Sequence, residues 1–343
     1  MTVKKINLAL QGGGAHGAFT WGVLDQMLQD PRIEIAALSG TSAGALNAAA
    51  LKAGMIQGGV EGAREKLEWL WTTIAGSNGD SMEQWLSPYG PAGVSRAIEA
   101  SLPYAMGEAM LRAVSPYGYG PLYKNPMTDI LDQLDFDSVC SNEGPALFVN
   151  ATRVRNGKLR VFSGDEINAQ VIMASACLPT LFKAVEMFDT ETGRDEAFWD
   201  GGYTGNPALF PFFDSALPRD IVVININPLE REELPTTPQQ IQNRLNEISF
   251  NTSLLRELRA IDFVQRLLEN GTLPSDSMAH VYTHMIADDA LMNELSVATK
   301  SVPNAYIIKT LKEAGQAAAV QFLDAHFDDL NVQSSMDLRE MFA

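Results

Sequence analysis

Cysteine is scarce in this chain of 343 residues, which contains only Cys140 and Cys177. Two cysteines are too few for a disulfide framework, and their neighbours lack the spacing of metal ligands. No stretch approaches the roughly 18 uncharged apolar residues that a membrane-spanning helix needs. The first residues, MTVKKINLALQGGG, do not form a secretory signal, because their apolar run is short and ends in glycines. We therefore expect a cytoplasmic protein, at most peripheral to a membrane, without a bound metal.

Positive charge is also scarce, since 25 Lys and Arg face 42 Asp and Glu, for a formal net charge of −17. A nucleic-acid-binding protein needs a basic face that neutralises phosphates, so this balance excludes nucleic acid as a partner. The same charge argues against long-range attraction to an anionic membrane. Apolar residues make up 46% of the chain, which is ordinary for a globular protein.

The first 55 residues contain the same arrangement twice, a strand followed by a glycine turn and a helix. Apolar runs at residues 5–10 and 33–38 predict buried strands, and helical spacing of apolar or alanine residues predicts helices at 15–29 and 43–52. A strand–turn–helix repeat is typical of a parallel sheet with helices on its faces. The sequence thus predicts an α/β fold.

The remaining chain continues this pattern and then becomes mainly helical. Strands are predicted at 146–154, 159–163, 183–188, 196–199, 220–227 and 279–286, and helices at 169–177, 238–270 and 303–327. The helix at 238–270 could equally be two helices broken near Asn251. We expect one catalytic domain over residues 1–228 and a mainly helical C-terminal extension, 229–343, packed on it.

Residues 76–123 differ from their surroundings and are predicted to be an irregular insertion with short helices. The insertion is rich in glycine and proline, and its aromatic residues are Trp85, Tyr89, Tyr104, Tyr117, Tyr119 and Tyr123. Long loops of this kind often carry function, so the insertion could be a lid over an active site. A packed cap without motion explains the composition equally well.

The first glycine run is Gly12-Gly13-Gly14-Ala15-His16-Gly17, between a predicted strand and a predicted helix. Glycines here let backbone N–H groups point into a cavity beside a helix N-terminus, which favours negative charge. Gly12, Gly14 and Gly17 match the dinucleotide-binding pattern G-x-G-x-x-G, but a single match of this kind is weak. The loop suits a pyrophosphate or an oxyanion.

The second glycine run, Gly40-Thr41-Ser42-Ala43-Gly44, decides between these two ligands. It follows a predicted strand and opens a helix, as in a nucleophile elbow, whose sharp turn projects the serine hydroxyl. A dinucleotide fold gives no reason for this second turn. It would also need an acidic residue near the end of the second strand, whereas Glu34 lies near its start. Ser42 is therefore the candidate nucleophile, with Gly40 and Gly44 supporting the turn.

A serine nucleophile needs a base, and no histidine is well placed to be one. The four histidines are His16, His280, His284 and His326. His16 lies in the glycine loop, His280 and His284 share a predicted strand, and none follows a sheet strand in the order that a Ser–Asp–His triad requires. Asp200 is the better candidate, because Gly201 and Gly202 after it permit close approach of another residue.

Four segments together resemble the patatin-like phospholipases, namely residues 12–17, 40–44, 174–179 (Ala-Ser-Ala-Cys-Leu-Pro) and 200–202. The resemblance covers residues 5 to about 228, and the C-terminal helices also look like those of bacterial members. It implies a three-layer α/β sandwich with a central, mostly parallel sheet. It also implies hydrolysis of lipid acyl esters by a Ser–Asp dyad.

The resemblance assigns roles to individual residues. It implies that Ser42 is the nucleophile and Asp200 the base. It further implies that the backbone N–H groups of Gly12, Gly13, Gly14 and Ala43 bind the oxyanion. The chain departs from the family at His16, where the commonest loop has Arg or Lys.

The sequence therefore predicts a serine acyl hydrolase whose partner is a lipid or fatty-acyl ester substrate. No cofactor is expected, contact with a membrane surface would be transient, and a homo-oligomer is compatible with the sequence. Two alternatives stay open. One is a dinucleotide-binding oxidoreductase that uses the glycine loop. The other is a catalytically silent patatin-like scaffold, although the intact Ser42 and Asp200 count against it.

Overall fold

The computed structural model describes residues 3–76, 86–123, 125–232, 234–274 and 277–342. Within these residues the strands are β1 (Lys4–Leu10), β2 (Ile33–Gly40), β3 (Ala146–Arg153), β4 (Leu159–Ser163), β5 (Val185–Asp189), β6 (Arg194–Asp200), β7 (Asp220–Ile224) and β8 (Tyr282–Ile286). They form one sheet in the order β5-β6-β3-β2-β1-β7-β8, with β4 paired to β3 outside this path. Strands β3, β2, β1, β7 and β8 pair in parallel, β4 and β6 pair antiparallel with β3, and β5 pairs antiparallel with β6.

Helices cover both faces of the sheet. They are α1 (Gly17–Leu28), α2 (Ala43–Ala75), α3 (Gly90–Glu99), α4 (Leu102–Ala113), α5 (Thr128–Leu131), α6 (Phe136–Val139), α7 (Ala169–Ser175), α8 (Pro238–Glu269), α9 (Asp289–Glu294), α10 (Val297–Ser301), α11 (Ala305–His326) and α12 (Leu338–Met341). No helix within the described parts of the chain is long and apolar enough to cross a membrane.

Alternate side chains of the central strands point to opposite faces of the sheet, and both faces are buried. Leu8 and Leu10 of β1 join the larger core with residues of α1, α2 and α11. Ala9, between them, joins a second core with Leu254 and Leu258 of α8. Burial on both faces explains why these strands have continuous apolar runs. The predicted three-layer α/β sandwich is confirmed.

Residues after 228 complete both the sheet and one helical layer. Strand β8 pairs in parallel with β7, and α11 packs closely on α1. A Cβ on Gly22 would lie 2.0 Å from the Lys312 carbonyl oxygen, and one on Gly315 would lie 2.1 Å from that of Phe19. The C-terminal part therefore shares the sheet of the N-terminal part, with no break in the sheet at residue 228.

Two strands end against the same edge of β3. Strand β2 ends at Gly40, opposite Val149, while β6 runs the other way and ends at Asp200, opposite Ala151. Because β4 pairs with Val149 and Ala151 on the other edge, β2 and β6 must share this one. Their carboxyl ends consequently meet about two residues apart along β3, or roughly 7 Å.

Two predicted elements differ from the structure, and for the helix at 238–270 the structure decides between the two alternatives. The helix expected at 43–52 runs on to Ala75, with a kink where Gly58 and Gly59 leave the helical conformation. The helix expected at 238–270 is continuous. The strand expected at 279–286 begins only at Tyr282, so His280 lies before the strand and the shared face predicted for it and His284 is wrong.

The described part of the predicted insertion contains short helices. These are α3 and α4, with 3₁₀ turns at Ser87–Tyr89 and Pro116–Leu122. Trp85, one of the aromatic residues on which the lid hypothesis drew, lies outside the described residues.

Candidate active site

Ser42 occupies the turn between the end of β2 and the start of α2. Its backbone has φ 55° and ψ −119°, a conformation that non-glycine residues rarely adopt and that costs about 1–3 kcal/mol. The residue is 9% exposed. Such strain persists only where the surroundings enforce it, and it turns the serine away from the path of strand and helix.

The flanking glycines are required by close packing at the elbow. A Cβ on Gly44 would lie 2.1 Å from the Leu10 carbonyl oxygen, and one on Gly40 would lie 2.6 Å from that of Gly44. Any larger residue would push α2 away from β1. The support predicted for Gly40 and Gly44 is therefore steric.

Side chains from distant elements hold the elbow in place. The Ser42 N–H donates to Ser175 Oγ at 2.9 Å. Asn150 Nδ2, on β3, donates to Thr41 Oγ1 at 3.0 Å and to the Gly40 carbonyl oxygen at 3.2 Å. The bonds to the Ser42 N–H and the Gly40 carbonyl oxygen satisfy buried backbone groups and offset part of the strain.

Asp200 is almost fully buried, and its carboxyl interacts with the Ser42 side chain. Its Oδ1 accepts from the Gly202 N–H at 2.7 Å. Its Oδ2 has no short hydrogen bond to the part of the chain that the structure describes. Burial raises the pKa of Asp200 to about 7, against the lowering effects of the Gly202 N–H and the Ser42 side chain. The carboxyl is thus a stronger base than an exposed aspartate.

The segment 174–179 links the two candidate catalytic residues. Ser175 accepts from the Ser42 N–H, and the Cys177 carbonyl oxygen accepts from the Asp200 N–H at 2.8 Å. Gly201 follows Asp200 directly, and a Cβ on Gly201 would lie 2.2 Å from the Asn150 carbonyl oxygen. This segment and β3 therefore fix the serine and the aspartate relative to each other.

The glycine loop lies next to the elbow, since a Cβ on Gly12 would be 2.8 Å from Ser42 Cβ. The Gly12 N–H is not a free donor, because it donates to Asn206 Oδ1 at 2.7 Å. This corrects the expectation for Gly12. In contrast, no hydrogen bond of the Gly13, Gly14 or Ala43 N–H is found among the described residues.

His16 is buried, and its hydrogen bond among the described residues is to Thr299 and not to Ser42. Its Nε2 lies 2.8 Å from Thr299 Oγ1, and the Thr299 hydroxyl donates its own proton to the Ser296 carbonyl oxygen. We therefore assign the imidazole proton to Nε2. Burial, together with Lys300 and Arg231, holds the pKa of His16 well below its ordinary value, so His16 is neutral and supports the loop without charge.

The other histidines have partners away from the elbow. His284 lies between Asp220 and Ser335, and His326 lies 2.9 Å from Asp329. The ring of His280 packs on that of Tyr282. Within the described ranges, no group of three or more His, Cys, Asp or Glu could hold a metal ion.

The insertion contacts the segment that follows Cys177. Tyr117 and Tyr123 accept, through their hydroxyl oxygens, from the N–H groups of Ala184 and Lys183 at 3.1 and 3.2 Å. This part of the insertion therefore borders the loop that begins at Cys177, whose carbonyl oxygen accepts from the Asp200 N–H.

Sequence reasoning missed several residues that shape the site, chiefly Asn150, Asn206, Asn227 and Lys300. Asn227 did leave a signal, because a polar residue follows the buried strand β7 at the end where ligands bind in parallel sheets. Lys300 left none, since it lies on a five-residue helix far along the chain.

A family model described as patatin-like phospholipase matches residues 8–213. Among solved structures the chain is similar to VipD from Legionella pneumophila, at 16% identity and a TM-score of 0.43, over 94% of this chain and 67% of that one. It is also similar to a chain of the heterodimeric ExoU–SpcU complex from the type III secretion system of Pseudomonas aeruginosa. That match has 18% identity and a TM-score of 0.29, and it covers 95% of this chain and 61% of that one. No curated protein matches.

Proposed function

The chain belongs to the patatin-like phospholipase family, and from this membership and the geometry of the elbow we propose that it hydrolyses lipid acyl esters through Ser42 and Asp200. The observation that carries the proposal is the meeting of β2 and β6 on one edge of β3. It brings a strained serine beside a buried carboxyl whose pKa is about 7.

In the first step Asp200 accepts the proton of the Ser42 hydroxyl while Oγ attacks the ester carbonyl carbon. The carbonyl oxygen becomes an oxyanion that accepts from the N–H groups of Gly13, Gly14 and Ala43, which are fixed before the reaction begins. The intermediate then expels the alcohol, which takes the proton from Asp200, and an acyl-serine remains.

In the second step Asp200 accepts a proton from water, whose oxygen attacks the acyl-serine. The new tetrahedral intermediate expels Ser42 Oγ, which recovers its proton from Asp200, and the fatty acid leaves. The carboxyl is neutral and anionic in turn, which a pKa of about 7 permits near neutral pH.

An acyl chain needs apolar contacts beside the dyad, and an aromatic pair supplies them. Tyr203 and Phe250 pack edge to face with ring centroids 5.3 Å apart. A Cβ on Gly202 would lie 3.2 Å from the Phe250 ring, so the pair adjoins Asp200. Tyr203 is partly exposed, as expected for the rim of an entrance. We extend the proposal to the insertion, whose Tyr117 and Tyr123 would border the same entrance as a lid.

The experiment is a panel of phospholipids, lysophospholipids, neutral glycerides and simple esters, offered to purified protein together with a fluorophosphonate probe. We expect ester hydrolysis and covalent labelling at Ser42. Binding of a nicotinamide dinucleotide without labelling would favour the oxidoreductase alternative. Neither hydrolysis nor labelling in a folded protein would favour the silent scaffold.

A further inference from the structure

A chain of hydrogen bonds runs from the C-terminal part of the protein to the glycine loop. Lys300 Nζ, on α10, donates to Asn227 Oδ1 at 2.8 Å. Asn227 Nδ2 in turn donates to the Gly12 carbonyl oxygen at 2.8 Å. Asn227 is fully buried, and the Lys300 side chain is only 13% exposed. Asn227 Nδ2 also donates to Gln11 Oε1 at 3.1 Å, so the desolvated ammonium group at Oδ1 and the two acceptors at Nδ2 together fix which way the Asn227 amide faces.

The carbonyl that Asn227 binds belongs to the same peptide group as the Gly13 N–H. This peptide bond is trans, so its N–H points opposite to its C=O and away from Asn227. A hydrogen bond at the oxygen both fixes the peptide plane and polarises the N–H into a stronger donor. Gly12 itself lies against Ser42, so the orientation of this peptide is set next to the nucleophile.

Pairing with an acid does not account for the position of Lys300. Its Nζ lies 3.9 Å from Glu247 Oε1, beyond hydrogen-bonding distance. Glu247 is already paired with Arg231 at 2.7 Å and with Arg244 at 3.3 Å. The short bond of Lys300 is to the neutral amide of Asn227.

We propose that Lys300 is a positioning residue for ester hydrolysis, whose ammonium group orients Asn227 and thereby aims the Gly13 N–H at the oxyanion. This inference rests on the proposed function. It adds that a residue of the C-terminal part orients the glycine loop. Lys300 acts through Asn227 and does not itself touch the substrate.

The charge of Lys300 gives the inference a pH signature. Burial, with a smaller effect of Arg231, lowers the pKa of Lys300 to about 8 although Glu247 raises it. Among the described residues, the charged or titratable groups that interact with Lys300 are His16 before α1, Arg231 in the loop before α8, and Glu247 on α8, with which Arg244 is paired. His16 has its pKa well below the ordinary value and Glu247 has its pKa lowered, so neither changes charge near pH 8, and guanidinium groups stay charged.

The kinetic test compares kcat and KM across pH for Lys300→Met, Lys300→Arg and the exposed control Lys158→Met. The wild type should lose activity as pH rises through about 8. Lys300→Met should lower kcat roughly 10- to 100-fold with little change in KM, because a misdirected donor weakens transition-state binding, and should have no alkaline limb. Lys300→Arg should retain activity above that pH. A folded Lys300→Met protein with wild-type kcat and an unchanged alkaline limb would overturn the inference.

A second test does not depend on activity. Glycine labelled with ¹³C at the carbonyl and ¹⁵N at the amide selects glycines that follow glycine, which are Gly13, Gly14, Gly59 and Gly202. The Gly13 signal should shift with a midpoint near pH 8 and lose this shift in Lys300→Met. Gly202, which donates to Asp200, should titrate near pH 7 in both proteins, and Gly59 in neither.

The two tests separate failure of the inference from failure of the proposed function. If the wild type hydrolyses no ester, the proposed function fails, and the amide titration alone decides whether Lys300 governs the loop. If both loop signals, Gly13 and Gly14, stay constant near pH 8, or shift equally in Lys300→Met, the inference is wrong even in an active hydrolase.

Discussion

Two clusters of serine and aspartate lie at opposite ends of the parallel strands, and they differ in almost every physical respect. Ser42 and Asp200 lie at the carboxyl ends, and no histidine of the described residues is hydrogen bonded to either. At the amino end of β7, His284 Nδ1 lies 2.9 Å from Ser335 Oγ and its Nε2 lies 3.1 Å from Asp220 Oδ1. By residue type alone, the second cluster is the better match to a serine hydrolase triad.

Hydrogen bonding and backbone conformation favour the first cluster. Both oxygens of Asp220 accept from Asn331, at 2.7 Å each, in addition to the contact with His284. Asp200, in contrast, has a buried oxygen without a short hydrogen bond to the described residues. Ser42 has a positive φ, whereas Ser335 does not. The fully hydrogen-bonded network around Asp220 stabilises the fold. Backbone strain at Ser42 and the unsatisfied oxygen of Asp200 are instead typical of a functional site.

The largest expected difference between the clusters is in the serines. Ser42→Ala should abolish ester hydrolysis, a loss of more than about 1,000-fold, without unfolding the protein, because its hydroxyl contributes little to packing. Ser335→Ala should leave kcat within about twofold. Initial rates on a chromogenic ester, with circular dichroism to verify folding, check this. If folded Ser42→Ala still hydrolysed the ester, Ser42 would not be the nucleophile.

The next effect concerns the base. Asp200→Asn keeps the shape and should lower kcat roughly 100- to 10,000-fold, because a positioned general base is lost. His284→Gln is the matched change in the second cluster and should keep the activity of the folded protein. If His284→Gln were inactive at every pH, the base would be histidine and the dyad would be wrong.

The pH profile should follow Asp200. Because its carboxylate must be ionised to accept a proton, activity should fall as pH drops through about 7, by about tenfold per pH unit below that point. Burial also raises the pKa of Glu257 to about 7, so Glu257→Gln is the control. If the acidic limb disappeared in Glu257→Gln, the titrating group would be Glu257 and not Asp200.

Replacing the aspartate by asparagine should change the free energy of unfolding in opposite directions in the two clusters. The folded pKa of Asp200 is raised from 3.8 to about 7, so the folded state binds the proton more tightly than the unfolded state. Stability falls as pH rises from about 4 to 7 and stays reduced above 7. Asp200→Asn should therefore raise the free energy of unfolding at pH 8, on the order of a few kcal/mol.

Asp220→Asn provides the opposing case. It loses charge-assisted hydrogen bonds from Asn331 and should lower the free energy of unfolding by roughly 2 kcal/mol. Urea denaturation of both variants at pH 8 measures the two effects. A decrease in both would show that the Asp200 carboxylate is stabilised by its surroundings and is not held there at a cost.

The smallest effect is the strain at Ser42 alone. Ser42→Gly should raise the free energy of unfolding by roughly 1 kcal/mol, because glycine adopts this backbone conformation without a Cβ clash. Ser335→Gly should lower it slightly, since glycine adds conformational entropy to the unfolded chain and removes the contact with His284. Equal decreases in both variants would mean that the elbow stores no strain.

The sequence by itself determined the features that depend on neighbouring residues. The elbow at 40–44 and the loop at 12–17 were recognisable because a tight turn between strand and helix needs glycines at fixed offsets. The buried strands were recognisable because apolar runs bounded by turn residues have few other conformations. The strand–turn–helix repeat then restricted the fold to a parallel sheet covered by helices. The glycines after Asp200 already made it the candidate base for Ser42, the family resemblance then implied the dyad, and the pairing stays a proposal.

Tertiary structure alone decided what meets at the elbow. Asp200 approaches Ser42 because β2 and β6 end on the same edge of β3, and strand register depends on contacts distant in sequence. For the same reason the sequence could not show that Asn206 occupies the Gly12 N–H, or that Lys300 reaches the loop through Asn227. Residue types and spacing define which groups can react, whereas the packing of the whole chain decides which of them are close, buried and left unsatisfied.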